Sequence, residues 1–374
     1  MFLFELLYQS KRSKARVGVI HTPHGTIETP HFVPVATNGT MKAVDSVMLD
    51  PLQVQLMFCN TYHLMVQPGT DLIEKAGGLH AFMNRSKPVI TDSGGFQVFS
   101  LLYGGVQNEL KSSGQKKTGT MVIGISEEGV KFRSYRNGDY LLLTPESSVA
   151  AQKKLGADII IPFDELPPFH IDQSKLEKSL HRTHRWEKRS LEAHLKDRRQ
   201  QAMYSVVHGG IDQRLRTLSA TLLDSLPFDG HAIGGSLGKN KQQMIDMLSY
   251  TVPLLAPEKP RHLLGIGDLA SIEPILSLGI DTFDSSYPTK CARHGLLFTF
   301  QGSKKAVHKD LTTLFGPIDA GCVCYTCTHY TAAYVQHLFK AHEMIAYTLA
   351  SIHNIAHMVE RVNRYRQAIL GGLL

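Results

Sequence analysis

Eight short apolar runs, each ending in a polar residue or glycine, recur along this chain and restrict its fold more than any other feature. They are H-F-V-P-V-A-T (31–37), V-Q-L-M-F-C-N-T (54–61), P-V-I-T-D (88–92), D-I-I-I-P-F-D (158–164), M-Y-S-V-V-H-G (203–209), H-A-I-G-G (231–235), R-H-L-L-G-I-G (261–267) and D-T-F-D-S (281–285). A parallel strand covered on both faces reads as a continuous apolar run, not an alternating one. Helix-like segments separate most of the runs. The stretch 145–156 has Pro145 at a helix start and Gly156 at its stop. The charged stretch 174–198 and the segment 269–279, with Pro274 early in it, are two more. Eight strands alternating with helices predict an α/β chain folded as a (β/α)8 barrel, with a doubly wound open sheet as the competitor. Polar residues and glycines at the C-terminal strand ends are where such a fold builds its site.

A chain of 374 residues with 43% hydrophobic content has room for one large barrel and a small appendage, and is too apolar for global disorder. The net charge of +7 is compatible with an anionic partner but is too modest to define one. The apolar N-terminus carries Glu5, and its basic residues follow the run, so it does not read as a secretory signal. No stretch approaches the roughly 18–20 apolar residues of a membrane span. Three of the five cysteines lie within six residues, which reads as a metal cluster in a reducing compartment; a cytoplasmic protein is expected. Between the third and fourth runs, K-S-S-G-Q-K-K-T-G-T (111–120) has the composition of a surface loop. The basic stretch 181–190 reads as an exposed helix face. The expected organisation is a catalytic barrel over 1–320, with an N-terminal cap and a long insertion near 103–122. A zinc-binding helical subdomain over 321–374 packs on it.

Cys322-x-Cys324-x2-Cys327 places three thiolates at a spacing that selects zinc. A fourth ligand closes the tetrahedron. His329 stands too near Cys327 to wrap around the metal, and spacing does not choose among His337, His342, His353 and His357. Three Cys and one His leave no open position, so the site reads as structural.

The carboxylates at the run ends are the candidates for chemistry. Asp92 is followed by Ser93, Gly94 and Gly95, whose backbone amides can approach a ligand closely. Asp164 and Glu165 end the fourth run and Asp284 the eighth. Any one of them alone reads as a strand-end cap. Several acids on one rim suit glycosidic chemistry, in which one carboxylate attacks an anomeric carbon and another moves the leaving-group proton.

The motifs D-S-G-G-F-Q (92–97), F-D-E (163–165), I-G-G (233–235), L-G-I-G (264–267), G-I-D-T-F-D-S-S-Y-P-T-K-x-A-R-x-G (279–295), the cysteine cluster and I-H-N (352–354) occur in one order over essentially the whole chain. In that order the chain resembles the bacterial tRNA-guanine transglycosylase family. The resemblance implies a modified (β/α)8 TIM barrel with a zinc subdomain. It implies exchange of guanine 34 in tRNAs with GU(N) anticodons (Asp, Asn, His, Tyr) for a free 7-deazaguanine on the way to queuosine. Carried onto this sequence, it makes Asp284 the nucleophile that holds the ribose as a covalent ester and Asp92 the proton donor and acceptor. Asp164 reads the purine edge, Gly235 offers a backbone amide, and Phe96 and Leu264 sandwich the base, with Ser93, Gly94, Gly95 and His208 around it. Gly265, Ile266, Gly267, Asp268, Leu269, Ala270 and Ser271, then Thr289, Lys290, Cys291, Ala292 and Arg293, touch the RNA. His353 becomes the fourth ligand of one structural Zn2+. No nucleotide or redox cofactor is implied, and the family acts as a homodimer. A carbohydrate-active barrel and a catalytically silent RNA-binding paralogue are the alternatives. The zinc cluster argues against the first, and the presence of both Asp284 and Asp92 against the second.

The chain departs from the family pattern at the purine. His208 stands where glutamine is usual, Leu166 where cysteine follows F-D-E, and G-G-S-L-G (234–238) is one residue shorter than its counterpart. Lys290 replaces an arginine and Asp268 a lysine. The family's bacterial default base is preQ1. His208 and the altered loop are expected to shift preference toward the bulkier queuine.

Overall fold

The computed structural model describes residues 2–103, 122–134, 136 and 138–374. The polar stretch 111–120 and most of the insertion expected near 103–122 lie outside them. Three antiparallel strands come first: β1 (Leu3–Gln9), β2 (Arg16–Thr22) and β3 (Gly25–Thr29). Then follow β4 (His31–Pro34), β5 (Met57–Cys59) and β6 (Val89–Thr91). A second antiparallel sheet, β7 (Val122–Ile125), β8 (Val130–Arg133) and β9 (Tyr140–Leu143), precedes β10 (Ile159–Ile160). Next are β11 (Ala202–Val207), β12 (Gly230–Ile233), β13 (Arg261–Leu263) and β14 (Thr282–Ser285). A small hairpin of β15 (Leu296–Leu297) and β16 (Lys304–Lys305) follows.

Each of the eight apolar runs supplies one strand of a single parallel sheet, in the order β4-β14-β13-β12-β11-β10-β6-β5. Val35 bridges Phe58 across the two edges, and the Ala36 amide donates to the Phe58 carbonyl at 2.7 Å, so the barrel is nearly closed at that seam. The reason is in the residue pattern: Val33, Ile90, Ile159, Val206 and Ala232 are buried together in one cluster that also takes Phe4, Ile20 and Ile27 from the first sheet. That sheet therefore plugs the floor of the barrel, at the N-terminal strand ends. Arg16 on β2 is buried there. Its Nε donates to Asp281 Oδ1 at 2.8 Å, its Nη2 to Asp281 Oδ2 and to the Lys259 carbonyl at 2.8 Å, and its Nη1 to the Pro257 carbonyl at 2.6 Å. A buried ion pair holds only with its other hydrogen-bonding capacity satisfied, as here.

The helix Pro145–Leu155 begins and ends as its sequence predicts. Thr144 Oγ1 accepts from the Ser147 amide at 3.1 Å, and Gly156 closes it in the left-handed region at φ +72°. The basic stretch 181–190 lies on the helix Gln173–Lys196, but its arginines are not simply solvated. Arg182 and Arg185 pair with Glu127 in the turn between β7 and β8, and Arg189 with Glu146, while the Trp186 indole donates to the Glu127 carbonyl at 2.9 Å. The antiparallel sheet inserted after β6 is thereby fastened to the barrel. At the other end of the chain, Leu349, Ile352, Ile355, Met358 and Val362 of the helix Ile345–Leu370 join the same apolar cluster as Phe32, Ile233 and Phe283 of the barrel. Among the described residues no helix is long and apolar enough to cross a membrane.

Candidate active site

Asp92 follows β6 at the C-terminal rim and is 7% exposed. Four donors converge on its carboxylate: the Thr61 amide at 2.7 Å and the Gly94 amide at 3.1 Å on Oδ1, and the side-chain amides of Asn60 at 2.6 Å and Gln97 at 2.8 Å on Oδ2. Gly94 has φ +82°, a conformation that turns its N–H back onto the carboxylate and that glycine adopts without strain. Burial raises the pKa of Asp92, and the four hydrogen bonds pull it back only in part. This is a carboxyl group held rigidly and inclined to keep a proton, which suits general acid–base work.

Asp284, on β14, is as buried, at 7% exposure, but is held differently. The Gly265 amide at 2.9 Å and His262 Nε2 at 3.2 Å both meet Oδ1. The second oxygen, Oδ2, takes no hydrogen bond from the described residues. His262 is itself fixed by Thr282 Oγ1 at 2.8 Å from Nδ1. An oriented carboxylate with one oxygen uncommitted can attack an electrophilic carbon.

Between them Asp164 forms a third group. Ser93 Oγ donates to its Oδ1 at 3.0 Å, and His208 Nε2 lies 2.8 Å from its Oδ2. The other face of the His208 ring presses on Gly235, where an added Cβ would stand 2.6 Å from Nδ1. Gly235 also sits at φ +74°, so both space and backbone require glycine there. A cavity of about 380 Å³ opens beside this group, lined by His208, Gly235, Glu165, Phe169, Gln173 and Asp212 among others. Burial raises the pKa of Glu165, against the attraction of Arg182. Glu187 is fully buried below; its carboxyl is pushed well above the usual range by burial, and its Oε2 accepts from the Val206 amide at 3.1 Å.

The remaining predicted residues lie around this centre. Phe96, in the first turn of the helix Gly95–Tyr103, is 44% exposed, while Leu264 is half-buried after β13. In the segment 265–271, Gly265 and Ala270 are exposed and Gly267 and Ser271 buried. Asp268 does not reach outward freely: its carboxylate accepts from Ser271 Oγ at 2.6 Å and from the Ala270 amide at 3.2 Å. On the helix Tyr287–Arg293, Lys290 and Arg293 are exposed, whereas Thr289, Cys291 and Ala292 are buried.

The cysteines and His353 converge at the far end of the chain. Nδ1 of His353 lies 3.7, 3.7 and 3.3 Å from the sulfurs of Cys322, Cys324 and Cys327. Nε2 of the same ring lies 2.7 Å from the Phe298 carbonyl, which assigns the proton to Nε2 and leaves the Nδ1 lone pair facing the sulfurs. Four soft or borderline donors in this arrangement fit a metal ion. His329, excluded on spacing, has its Nδ1 2.9 Å from the Tyr325 carbonyl instead.

Asn60, Gln97 and His262 hold the two aspartates but were not among the expected site residues. Asn60 is the first polar residue after the apolar part of the second run, as Asp92 ends the third, so a similar strand-end signal marks it. His262 lies inside the strand β13 beside Arg261, where a buried polar residue reads as part of the core.

A parallel barrel with three oriented aspartates on its C-terminal rim, and a Cys3His cluster beyond it, defines a rim-site α/β enzyme. Comparison with known proteins places it further. A family model described as queuine tRNA-ribosyltransferase matches residues 10–374. A queuine tRNA-ribosyltransferase from Protochlamydia amoebophila (strain UWE25) is 61% identical over 373 residues, covering 100% of this chain and 96% of that protein. Proteins of the same name from Chlamydia abortus and Chlamydia trachomatis serovar A are each 54% identical over 368 residues, covering 98% of both chains. The chain belongs to the queuine tRNA-ribosyltransferase family, and is a transferase.

Proposed function

We propose that the protein is a tRNA-guanine transglycosylase that exchanges guanine 34 in tRNAs with GU(N) anticodons for a 7-deazaguanine by double displacement. The observation that carries this reading is the contrast in how the two aspartates are held. Asp284, with one oxygen anchored by Gly265 and His262 and the other uncommitted, attacks C1′ of the ribose as guanine leaves. Asp92, buried and inclined to hold a proton, supplies it to the departing purine and takes one from the incoming base. Two displacements at one carbon preserve its configuration. Asp164 and His208 read the purine edge, Gly235 gives a backbone amide, and Phe96 and Leu264 flank the base once it has left the anticodon stack. The loop 265–271 and the exposed Lys290 and Arg293 meet the RNA around it. Trapping the covalent tRNA adduct with a 9-deazaguanine-type inhibitor tests the assignment. An adduct formed by the natural protein and missing in Asp284→Asn supports it; an undiminished adduct in the variant rules it out.

The Cys322, Cys324, Cys327 and His353 cluster binds one structural Zn2+ per subunit in this reading, with no open position for chemistry. The barrel over 1–320 and the zinc subdomain over 321–374 form the two parts of each subunit of a homodimer in the cytoplasm.

The incoming base is queuine in preference to preQ1. A neutral imidazole at 208 offers one donor and one acceptor, with a different reach from the glutamine of the family pattern. The cavity of about 380 Å³ beside His208 and Gly235 has room for a bulky substituent. Competing the two bases in a guanine-exchange assay decides it, and a clear preference for preQ1 would sink the idea.

A further inference from the structure

The floor of the barrel, opposite the rim, carries three donor groups that the exchange does not use. His24 occupies the two-residue turn between β2 and β3, His80 lies on the helix Gly78–Phe82, and Asp158 immediately precedes β10. His24 Nδ1 is 2.8 Å from Asp158 Oδ1, and His80 Nε2 is 3.2 Å from Oδ2. The ligand atoms of all three residues lie within 4.8 Å of one another. The Nε2 of His80 is buried and faces the carboxylate.

We propose that His24, His80 and Asp158 form a second cation site, distinct from the cysteine cluster, that takes a borderline divalent ion such as Zn2+, Co2+ or Ni2+. Two imidazoles and a carboxylate are the donor set that such ions prefer. The carboxylate is already positioned from behind: the backbone amides of His24 and Val89 donate to its two oxygens at 3.2 and 2.9 Å, and its side chain is fully buried. Outer hydrogen bonds of this kind orient a ligand before the metal arrives. The His24 side chain is 40% exposed, which leaves the outer coordination positions to water. The two rings are stacked, with centroids 3.5 Å apart and 12° between planes. Capture of an ion therefore requires the His24 ring to rotate out of the stack so that both lone pairs converge, and its place on an exposed turn leaves it free to do so. The ion would pin the turn of the first sheet to the start of β10 and to the helix that carries His80.

Metal analysis of the full-length protein tests this. Protein equilibrated with Zn2+ and then desalted is expected to hold one equivalent more than His24→Ala, and one more than His80→Gln, treated alike. The comparison is between variants, so the content of the cysteine cluster cancels. Co2+ added to protein carrying a single zinc equivalent, in the cysteine cluster, is expected to give visible d–d absorption without a sulfur charge-transfer band, and to give none in His24→Ala. Ni2+ should raise the thermal midpoint of the natural protein but not of His24→Ala. Guanine exchange should be unchanged in His24→Ala. Equal metal contents in the three proteins, or the same Co2+ spectrum in His24→Ala, would overturn the proposal and leave a hydrogen-bonded network without an ion.

Discussion

Asp281 and Asp284 stand three positions apart, the first immediately before β14 and the second near its end, one facing the floor of the barrel and one its rim. Asp281 is fully buried, and Arg16 and the Arg261 amide occupy both its oxygens. Asp284 is slightly exposed and is anchored through one oxygen alone. The same residue type is thus a structural joint just before the strand and, in the mechanism proposed above, the attacking group near its end. The difference lies in how completely the surroundings use up its hydrogen-bonding capacity. Asp281 at the floor has both oxygens engaged and ties the first sheet to the barrel, whereas Asp284 at the rim has one oxygen that takes no hydrogen bond from the described residues.

Exchanging the perturbation between the two ends sharpens the contrast. Asp284→Asn is expected to abolish base exchange, a loss of at least about 10³-fold, while the thermal midpoint moves little. Loss of exchange caused by unfolding would break the comparison, and circular dichroism at the assay temperature would reveal it. Cys327→Ser, or prolonged chelation, should cost several kcal/mol of stability, because a structural metal contributes directly to folding free energy; a midpoint unaffected by chelator would count against a metal in the cluster. Asp281→Asn should cost about 3–5 kcal/mol, since it strands the buried Arg16 guanidinium. That variant should retain exchange activity wherever it is folded, as denaturant titration beside an activity assay would show.

The smallest effect is set by pH, again at the floor. His31, at the start of β4, accepts the Gln55 amide on Nε2 at 3.1 Å and is therefore neutral. Burial, aided by Arg85, lowers its pKa from 6.5 to about 3. The unfolded chain takes up a proton on this ring below about pH 6.5, and the folded chain does not. Stability contributed by the neutral ring is therefore full above pH 6.5 and is lost as pH falls from 6.5 toward 3. His31→Gln should flatten the dependence of the thermal midpoint on pH between 6.5 and 4; an unchanged slope would show that other groups set it.

The strands of the barrel were legible because burial on both faces demands continuous apolar runs, and each of the eight runs became one strand. The antiparallel sheet of β7, β8 and β9 was not, because alternation over only four residues, as in V-K-F-R (130–133), is too short to stand out until a partner strand lies beside it. The arginines at 182, 185 and 189 read as a solvated face for the same reason: their partners, Glu165, Glu127 and Glu146, are seventeen or more residues away along the chain. At the site, Asp92, Asp164 and Asp284 were marked by their strand-end positions, but Asn60, Gln97 and His262 gained meaning only from the carboxylate they touch.

The sequence by itself determined the alternation of apolar runs and helices, the strand ends at which polar groups must fall, and the three clustered cysteines. These are local or periodic properties, fixed by burial and by chain spacing. Spacing left the fourth member of the cysteine cluster open and the family resemblance pointed to His353; the tertiary structure places its Nδ1 against the three sulfurs. It decided that His208 lies against Asp164 and Gly235, and that Asp281 is spent on Arg16 while Asp284 keeps a free oxygen. Each of these pairs residues far apart in sequence. The energy of a polar contact depends on distance and burial in space, which residue order does not encode.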